Sequence, residues 1–386
     1  MSDRTLPTVI VLGTTQTLAW ASSYYLAAVL GDVIAQDTGV STQWFFGAFS
    51  ASLLISAFLG PRVGRRIDAV GGNSVLAASN VTFAVGLVLL ALAKGPVLLG
   101  LAWVALGLGM SMGLYDAAFA TLGRIYGTAA RKPITGITLL AGFASTVGWP
   151  LTAWGIATLG WRETCLAWAA AHVLLGLPAN LFLLPKPTIA AADKKAQDQP
   201  VPIDRTLVLL ATAFALAWVV TAGMAAHFPR ILEAAGASPA AAIAASALIG
   251  PAQVAARIFE ASVLARFHPL VSGRLAMITH PIGALVVAFS GSGLVAYAFA
   301  VLHGLGNGII TIARGTVPLA LFGPQNYGYR LGIIGAPARI LQAGAPLGFA
   351  FLIERYGAGV LVVSTALMVG ALLALMLVRV PKNQGP

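Results

Sequence analysis

Apolar runs long enough to cross a lipid bilayer recur along the whole chain, and this limits the fold before any motif is considered. A helix that crosses the hydrocarbon core needs about 20 residues. Runs of that kind fall at roughly 8–30, 42–60, 74–93, 96–123, 134–158 and 163–184, then at 206–230, 239–258, 274–290, 294–320, 332–352 and 358–379. Lipid offers the main chain no hydrogen-bond partner, so spanning segments are helices or closed barrels. Barrel strands read as short alternating segments, and these runs do not alternate. Charged residues make up 9% of the 386-residue chain, against about 25% in soluble domains. With a mean hydropathy of +0.88, too little polar surface remains to face water on all sides. The expected fold class is an all-α integral membrane protein with twelve transmembrane helices.

Twelve spans put both termini on one side of the bilayer. If that side is the cytoplasm, 18 of the 23 basic residues lie on inner segments, and only Lys94, Arg162, Arg230 and Arg355 lie outside, with Arg339 inside a span. This is the positive-inside distribution, and it accounts for the net charge of +11 without nucleic acid as a partner. The single cysteine, Cys165, excludes an intrachain disulfide and makes a cysteine zinc or iron–sulfur site implausible. The opening "MSDRTLP" leads into the first run without a small-residue cleavage site, so that run is expected to be a retained span rather than a signal peptide.

The longest polar stretch, 186–205, falls near the centre and reads as a flexible cytoplasmic linker between an N-terminal part, 1–185, and a C-terminal part, 206–386. The two parts share a pattern. At a constant offset of 196, Gly127, Gly136 and Gly148 meet Gly323, Gly332 and Gly344, and Pro150-Leu151 meets Pro346-Leu347. The triplet "LAW" occurs at 18–20 and again at 216–218. Two pseudo-symmetric six-helix bundles are therefore expected, an arrangement that puts a binding site near the midplane between the repeats.

Between the second and third runs, "GPRVGRRIDAVGG" (60–72) holds Gly64, Asp68 and Gly71 in the spacing G-x-x-x-D-x-x-G, with Arg65 and Arg66 beside them. Placed there, the motif resembles the signature loop of the major facilitator superfamily, and the twelve-span, two-half topology resembles that family along the whole chain. The family usually has basic residues after the last glycine, whereas Gly72 and Asn73 follow here. The resemblance implies that the loop latches the two halves in the outward-facing state. Asp68 is placed to meet a helix N-terminus or an arginine such as Arg124. Arg257 and Glu260 are a candidate degenerate second copy. The resemblance also implies that spans 1, 4, 7 and 10 line a cavity and that spans 3, 6, 9 and 12 face lipid.

Ionisable residues at bilayer depth cost about 2.5–3.5 kcal/mol on insertion scales, so those that persist usually face a cavity. Arg339 is the first candidate for substrate binding. Its repeat counterpart is Phe143, so the charge belongs to one half only, and a guanidinium there suits a carboxylate or other anion; a structural ion pair, for example with Asp116, is the alternative. His303 and Asn307 lie one turn apart on span 10, and His303 is a candidate for proton coupling as well as for binding. Gln342 joins them as a candidate. Gln16, Trp20 and Tyr24 recur four apart on span 1, a stripe able to contact solute or to serve helix packing. His172 and His280 rank lower because their spans are expected to lie peripherally. Asp116 and Arg314, 198 residues apart, are candidates for an inner gate.

The functional reading is a secondary transporter of the bacterial inner membrane, working by alternating access as a monomer. It would move a small organic solute, an organic anion or monocarboxylate being favoured, driven by protons or by an exchanged anion. No Gly-x-x-x-x-Gly-Lys-Ser/Thr loop points to a nucleotide as energy source, and no His-Glu-x-x-His or Gly-x-Ser-x-Gly motif points to an enzyme. No cofactor or metal is implied. A proton-driven drug exporter and a non-transporting receptor or assembly factor stay open as alternatives. Charge reversal at Asp116 alone is expected to impair transport and a double swap with Arg314 to recover part of it. A swap that recovers nothing while both variants fold rejects the pairing.

Overall fold

The computed structural model describes residues 5–185, 201–289 and 293–380. The described residues form α-helices joined by short turns, and there is no strand among them. Among the described residues, ten stretches are long and apolar enough to cross a membrane. Two of these are far longer than one crossing requires, 63 residues at Pro96–Thr158 and 50 at Tyr327–Met376.

The chain begins with α1 (Thr5–Ala21) and α2 (Leu26–Thr38), separated by a turn, and continues with α3 (Thr42–Val70) and α4 (Asn73–Leu92). Next come α5 (Pro96–Gly113), α6 (Tyr115–Tyr126), α7 (Arg131–Ala141) and α8 (Ala144–Thr158), then α9 (Trp161–Ala171), which runs into π-helical turns at His172–Gly176 and Ala179–Leu183. The C-terminal sequence supplies α10 (Arg205–Ala234), α11 (Pro239–Ala247), α12 (Ile249–Ser262), α13 (Pro269–Phe289), α14 (Gly293–Phe322), α15 (Tyr327–Tyr356) and α16 (Val360–Met376). Several starts follow the capping rule that a short polar side chain takes an orphan first-turn amide. Ser41 accepts from the Trp44 amide at 3.1 Å, and Asp204 from the Leu207 amide at 2.8 Å.

The charge-rich stretch 60–72, expected as a loop, is mostly helix. Through Pro61 and the three arginines α3 continues to Val70, and it stops where Gly71 turns to φ 87°. Arginine is a good helix former, and the first strong terminator after Pro61 is the Gly71-Gly72 pair.

Left-handed glycines recur in step along the two parts of the chain. Gly39 and Gly236 have φ of 73° and 98°, Gly127 and Gly323 58° and 71°, and Gly160 and Gly357 100° and 53°. The partners of each pair are 197, 196 and 197 residues apart. Each glycine sits where one helix has ended and a backbone conformation closed to most side chains is required.

The chain divides into two compact units, one of Met1–Val201 with Gly323–Ala336, the other of Pro202–Phe322 with Pro337–Pro386. The boundary thus departs from the expected division at 186–205 by adding a C-terminal stretch to the first unit, and the contacts of α3 show why. The Asp68 carboxylate accepts from the Gly328 amide at 2.9 Å and the Tyr329 amide at 2.8 Å, two of the four orphan donors in the first turn of α15. The Arg65 guanidinium lies 4.1 Å from the centre of the Tyr329 ring. A Cβ on Gly64 would collide with the Gly328 carbonyl, and one on Gly332 with the backbone of Pro61. Of the two partners expected for Asp68, the helix N-terminus is the one it bonds, and Arg124 and Arg330 act on the carboxylate electrostatically.

In the second unit, Arg257 and Glu260 are both buried, and the Ser272 hydroxyl lies 3.5 Å from Glu260 Oε1. Replacing Asp68 by alanine removes two charge-assisted bonds and is expected to weaken the docking of 327–336 by about 2–4 kcal/mol. Hydrogen exchange would then accelerate at Gly328 and Tyr329 and stay unchanged in α4 and α5. Unchanged exchange at those two amides would show that the cap does not hold the segment.

Candidate functional site

Three of the expected spans are interrupted within the first unit, and each interruption leaves main-chain groups to be satisfied. Between α5 and α6, Leu114 is extended (φ −89°, ψ −174°). The Ala117 amide turns to the Leu114 carbonyl at 3.0 Å instead of the Gly113 carbonyl that a continuous helix would offer it. The Gln16 side-chain amide supplies the missing donor and reaches Gly113 O at 2.6 Å. Between α1 and α2, the Trp149 indole of α8 donates to the Tyr25 carbonyl at 3.2 Å. The third break, at Gly142 and Phe143 between α7 and α8, is closed by its own main chain, the Phe143 amide donating to Leu140 O at 3.1 Å, while the Thr17 hydroxyl of α1 donates to Gly13 O of its own helix at 2.9 Å and lies 3.3 Å from Leu140 O. Buried backbone groups are nearly always paired, and in lipid the requirement is stricter.

Aromatic side chains gather at these breaks. Trp20 lies against Tyr24, Tyr25 and Tyr115 with ring centres 5.4, 5.9 and 5.1 Å apart. Tyr24 meets Phe49 at 5.5 Å and Tyr25 meets Trp149 at 5.6 Å. The expected Gln16–Trp20–Tyr24 stripe is therefore split: Gln16 props the α5–α6 break, whereas Trp20 and Tyr24 join the aromatic cluster, Tyr24 from the turn after α1. Asp116 is buried in the first turn of α6, where a helix N-terminus favours a carboxylate. Helix α6 runs ten residues further, to Tyr126.

The second unit holds a different kind of site. Helix α14 carries "HGLGNG" at 303–308, and its glycines let neighbours approach to main-chain distance, as small residues do between membrane helices. Cβ atoms on Gly304 and Gly308 would press on the Ile249 and Gln253 carbonyls of α12, and one on Gly306 would collide with Thr279 of α13. Drawn in this way, α13 brings His280 to His303, their Nδ1 atoms 3.0 Å apart.

The contacts extend in both directions. His280 Nε2 lies 3.0 Å from Ser364 Oγ of α16, and the Ser364 hydroxyl lies 3.1 Å from the Leu361 carbonyl. His303 Nε2 lies 3.2 Å from Asn307 Nδ2, and the Thr221 hydroxyl of α10 donates to Asn307 Oδ1 at 2.7 Å. Phe228 stacks on His303 with ring centres 5.6 Å apart. The histidines are 1% and 4% exposed, and Ser364 is fully covered. Asn307 and Thr221, by contrast, are half-buried.

His280 was ranked low by its span, yet it is the direct partner of the favoured His303. Ser364 lies in the most uniformly apolar span, and Thr221 carried no motif; one buried hydroxyl in an apolar run was the available signal for Ser364. His172, also ranked low, is buried in the first unit. It meets Ser22 Oγ at 2.7 Å and Asn80 Oδ1 at 2.9 Å, tying the π-helical turn after α9 to α4 and to the α1–α2 break. Arg339 is buried between Pro337 and Pro346 of α15, and Gln342 is half-buried three residues on. Arg314 is buried with its guanidinium 5.5 Å from the Trp218 ring centre, within the range of a cation–π contact. Among the described residues no cluster of three or more His, Cys, Asp or Glu is arranged for a metal.

A sequence model of the Major Facilitator Superfamily matches residues 12–336, and the chain belongs to that family of transporters; it is a multi-pass membrane protein. No curated protein sequence matches it. Solved structures with a similar fold include the human organic anion transporter MFSD10 (TETRAN), with a TM-score of 0.74 and 15% identity over 97% of this chain and 99% of that one. The proton:xylose symporter XylE bound to 6-bromo-6-deoxy-D-glucose gives a TM-score of 0.73 and 13% identity over 97% and 95%. Both have the major facilitator fold, and so does this chain.

Replacing Gln16 by leucine, which keeps the size but removes the donor to Gly113, is expected to cost about 1–3 kcal/mol. Thermal unfolding in detergent would show a lower midpoint. An unchanged midpoint would mean that the α5–α6 break needs no side-chain support.

Proposed function

We propose that the protein is a secondary active transporter that moves a small organic anion, a monocarboxylate in particular, across the bacterial inner membrane. It has twelve spans in two six-helix bundles with both termini in the cytoplasm. It works by alternating access, and protons or an exchanged anion drive it. Membership of a transporter family supports the class, and the paired left-handed glycines support the internal repeat. The observation that carries the choice of an anion is the buried Arg339. A guanidinium held at bilayer depth matches a carboxylate in charge and in bidentate geometry. His303, Asn307 and Gln342 are the further polar candidates of the C-terminal half, and Gln16, Trp20 and Tyr24 those of the N-terminal half. The described fold similarity to an organic anion transporter and to a sugar symporter agrees with a small-solute carrier and does not choose between solutes. In this reading Asp68 and Arg124 form a latch that is made and released in each cycle, and Asp116 and Arg314 serve the inner gate.

One observation favours a second reading, a proton-driven exporter of cationic drugs: the aromatic cluster stands next to buried Asp116, an arrangement suited to an organic cation. Thermal-shift measurements on purified protein distinguish the two. Aliphatic and aromatic monocarboxylates are expected to stabilise the protein, and the shift to vanish in Arg339→Ala and to shrink in Arg339→Lys. Equal stabilisation of wild type and both variants rejects the anion assignment. Stabilisation by cationic drugs that is lost in Asp116→Asn favours the exporter.

A further inference from the structure

We infer that His280 and His303 form a single proton-binding pair, loaded through Thr221 and Asn307 and closed at Ser364; this deepens the transporter reading by naming its coupling group. The argument is a count of hydrogens. Asn307 presents its Nδ2 donor to His303 Nε2, so that nitrogen is bare and neutral His303 carries its hydrogen on Nδ1. His303 Nδ1–H then donates to His280 Nδ1, which is bare in turn. The His280 hydrogen is therefore on Nε2 and donates to Ser364 Oγ, whose own hydrogen goes to the Leu361 carbonyl. Every group gives one hydrogen bond and takes one, in one direction, with both rings neutral.

An added proton has one place to go that keeps every bond. It binds His303 Nε2, the bare nitrogen; the one hydrogen already on the line between the two Nδ1 atoms is then shared by two equivalent rings, and both Nε2 atoms carry hydrogen. Ser364 still accepts from His280. Asn307, however, now meets a donor on His303 and must turn its amide over, so that Oδ1 accepts from His303 Nε2–H and Nδ2 faces Thr221 Oγ. The Thr221 hydroxyl swings to the main-chain carbonyl one helical turn back, a bond open to any helical threonine. A second proton would set two N–H groups against each other on the Nδ1 line, so the pair binds one. The half-buried Thr221–Asn307 end admits the proton, and the covered Ser364 end stops it.

The titratable group that faces His303 is His280. On the other elements packed against α14, Arg274 of α13 donates to the Leu375 and Val378 carbonyls, Arg257 of α12 meets Gln253, and Glu260 meets Ser272. On α10, His227 meets the Pro346 carbonyl, and Arg205, Arg230 and Glu233 are exposed. Helices α11 and α16 carry no titratable side chain, and Arg314 of α14 lies three turns along from His303.

Nitrogen NMR of histidine-labelled protein in lipid nanodiscs, followed from roughly pH 8 to pH 4 across the range where histidine titrates, tests this with the proton itself as probe. The chain has five histidines, and single replacements assign them. The His280 and His303 signals are expected to move together through one transition that takes up one proton, with the Asn307 side-chain amide shifting at the same midpoint. In His303→Gln the His280 transition should be lost, and in His280→Gln the His303 transition, so that one well-folded variant of the two suffices. Two rings that stay neutral throughout, or that titrate separately and ignore each other's replacement, overturn the inference. Counterflow of labelled monocarboxylate in proteoliposomes keeps the two readings apart. Counterflow without the shared transition sinks the pair and leaves the carrier, whereas the shared transition without solute movement supports the pair and sinks the carrier.

Discussion

Lipid gives a polypeptide nothing to hydrogen-bond with, and most of what is specific in this protein follows from that lack. A continuous helix satisfies its own backbone and needs no help. Here the first unit interrupts its helices at 22–25, at Leu114 and at 142–143, and each interruption releases donors or acceptors that water would otherwise take. Side chains replace the water at two of them: Gln16 at Gly113 and Trp149 at Tyr25. The breaks turn Tyr24, Tyr25 and Tyr115 out of the regular helical stripes and into one cluster around Trp20. The aromatic cluster is thus a product of broken helices.

The second unit meets the same constraint in another way. Its helix α14 is continuous over 30 residues, and the polar groups along it satisfy one another through side-chain contacts. Glycines on α14 make that possible, because helices separated by large side chains could not bring an imidazole from α13 to within 3.0 Å of another. A buried polar group left unpartnered costs about 1–3 kcal/mol, so a chain of five side chains is tolerable only when every link is made. Such a chain has few alternative arrangements.

Much of the architecture was legible because bilayer thickness writes itself into sequence as run length. The runs at 42–60, 206–230 and 294–320 correspond to α3, α10 and α14, with α3 overshooting its run by ten residues, α10 by four and α14 by two at the C-terminal end, each until a glycine within two residues stops it. The breaks were not legible. Leu114 and Phe143 are apolar residues in apolar runs, and what ends the helix there is the packing around it. Depth arithmetic pointed to His303, which is buried, whereas span numbering gave no sign that His280 would be buried against it. Asp68 was readable from its motif, while its partners, backbone amides 260 residues away, carry no side-chain signature that a sequence displays. The glycine pairs at 39 and 236 and at 160 and 357 were in plain view and were missed, since a lone glycine in a loop attracts no notice until its φ is known.

Gly64 of α3 lies directly on Gly328 at the start of α15, main chain against main chain. Most interhelical contacts tolerate small displacements, because rotamers relax and methyl groups slide. Two bare backbones have no such cushion. The carbonyl and amide geometry that seats Asp68 on the same turn is equally unforgiving, so the joint is either seated or parted, with little between. Evolution can tune its strength by changing charges around the rim, such as Arg65 over Tyr329, but a single added methyl at its centre would abolish the seat.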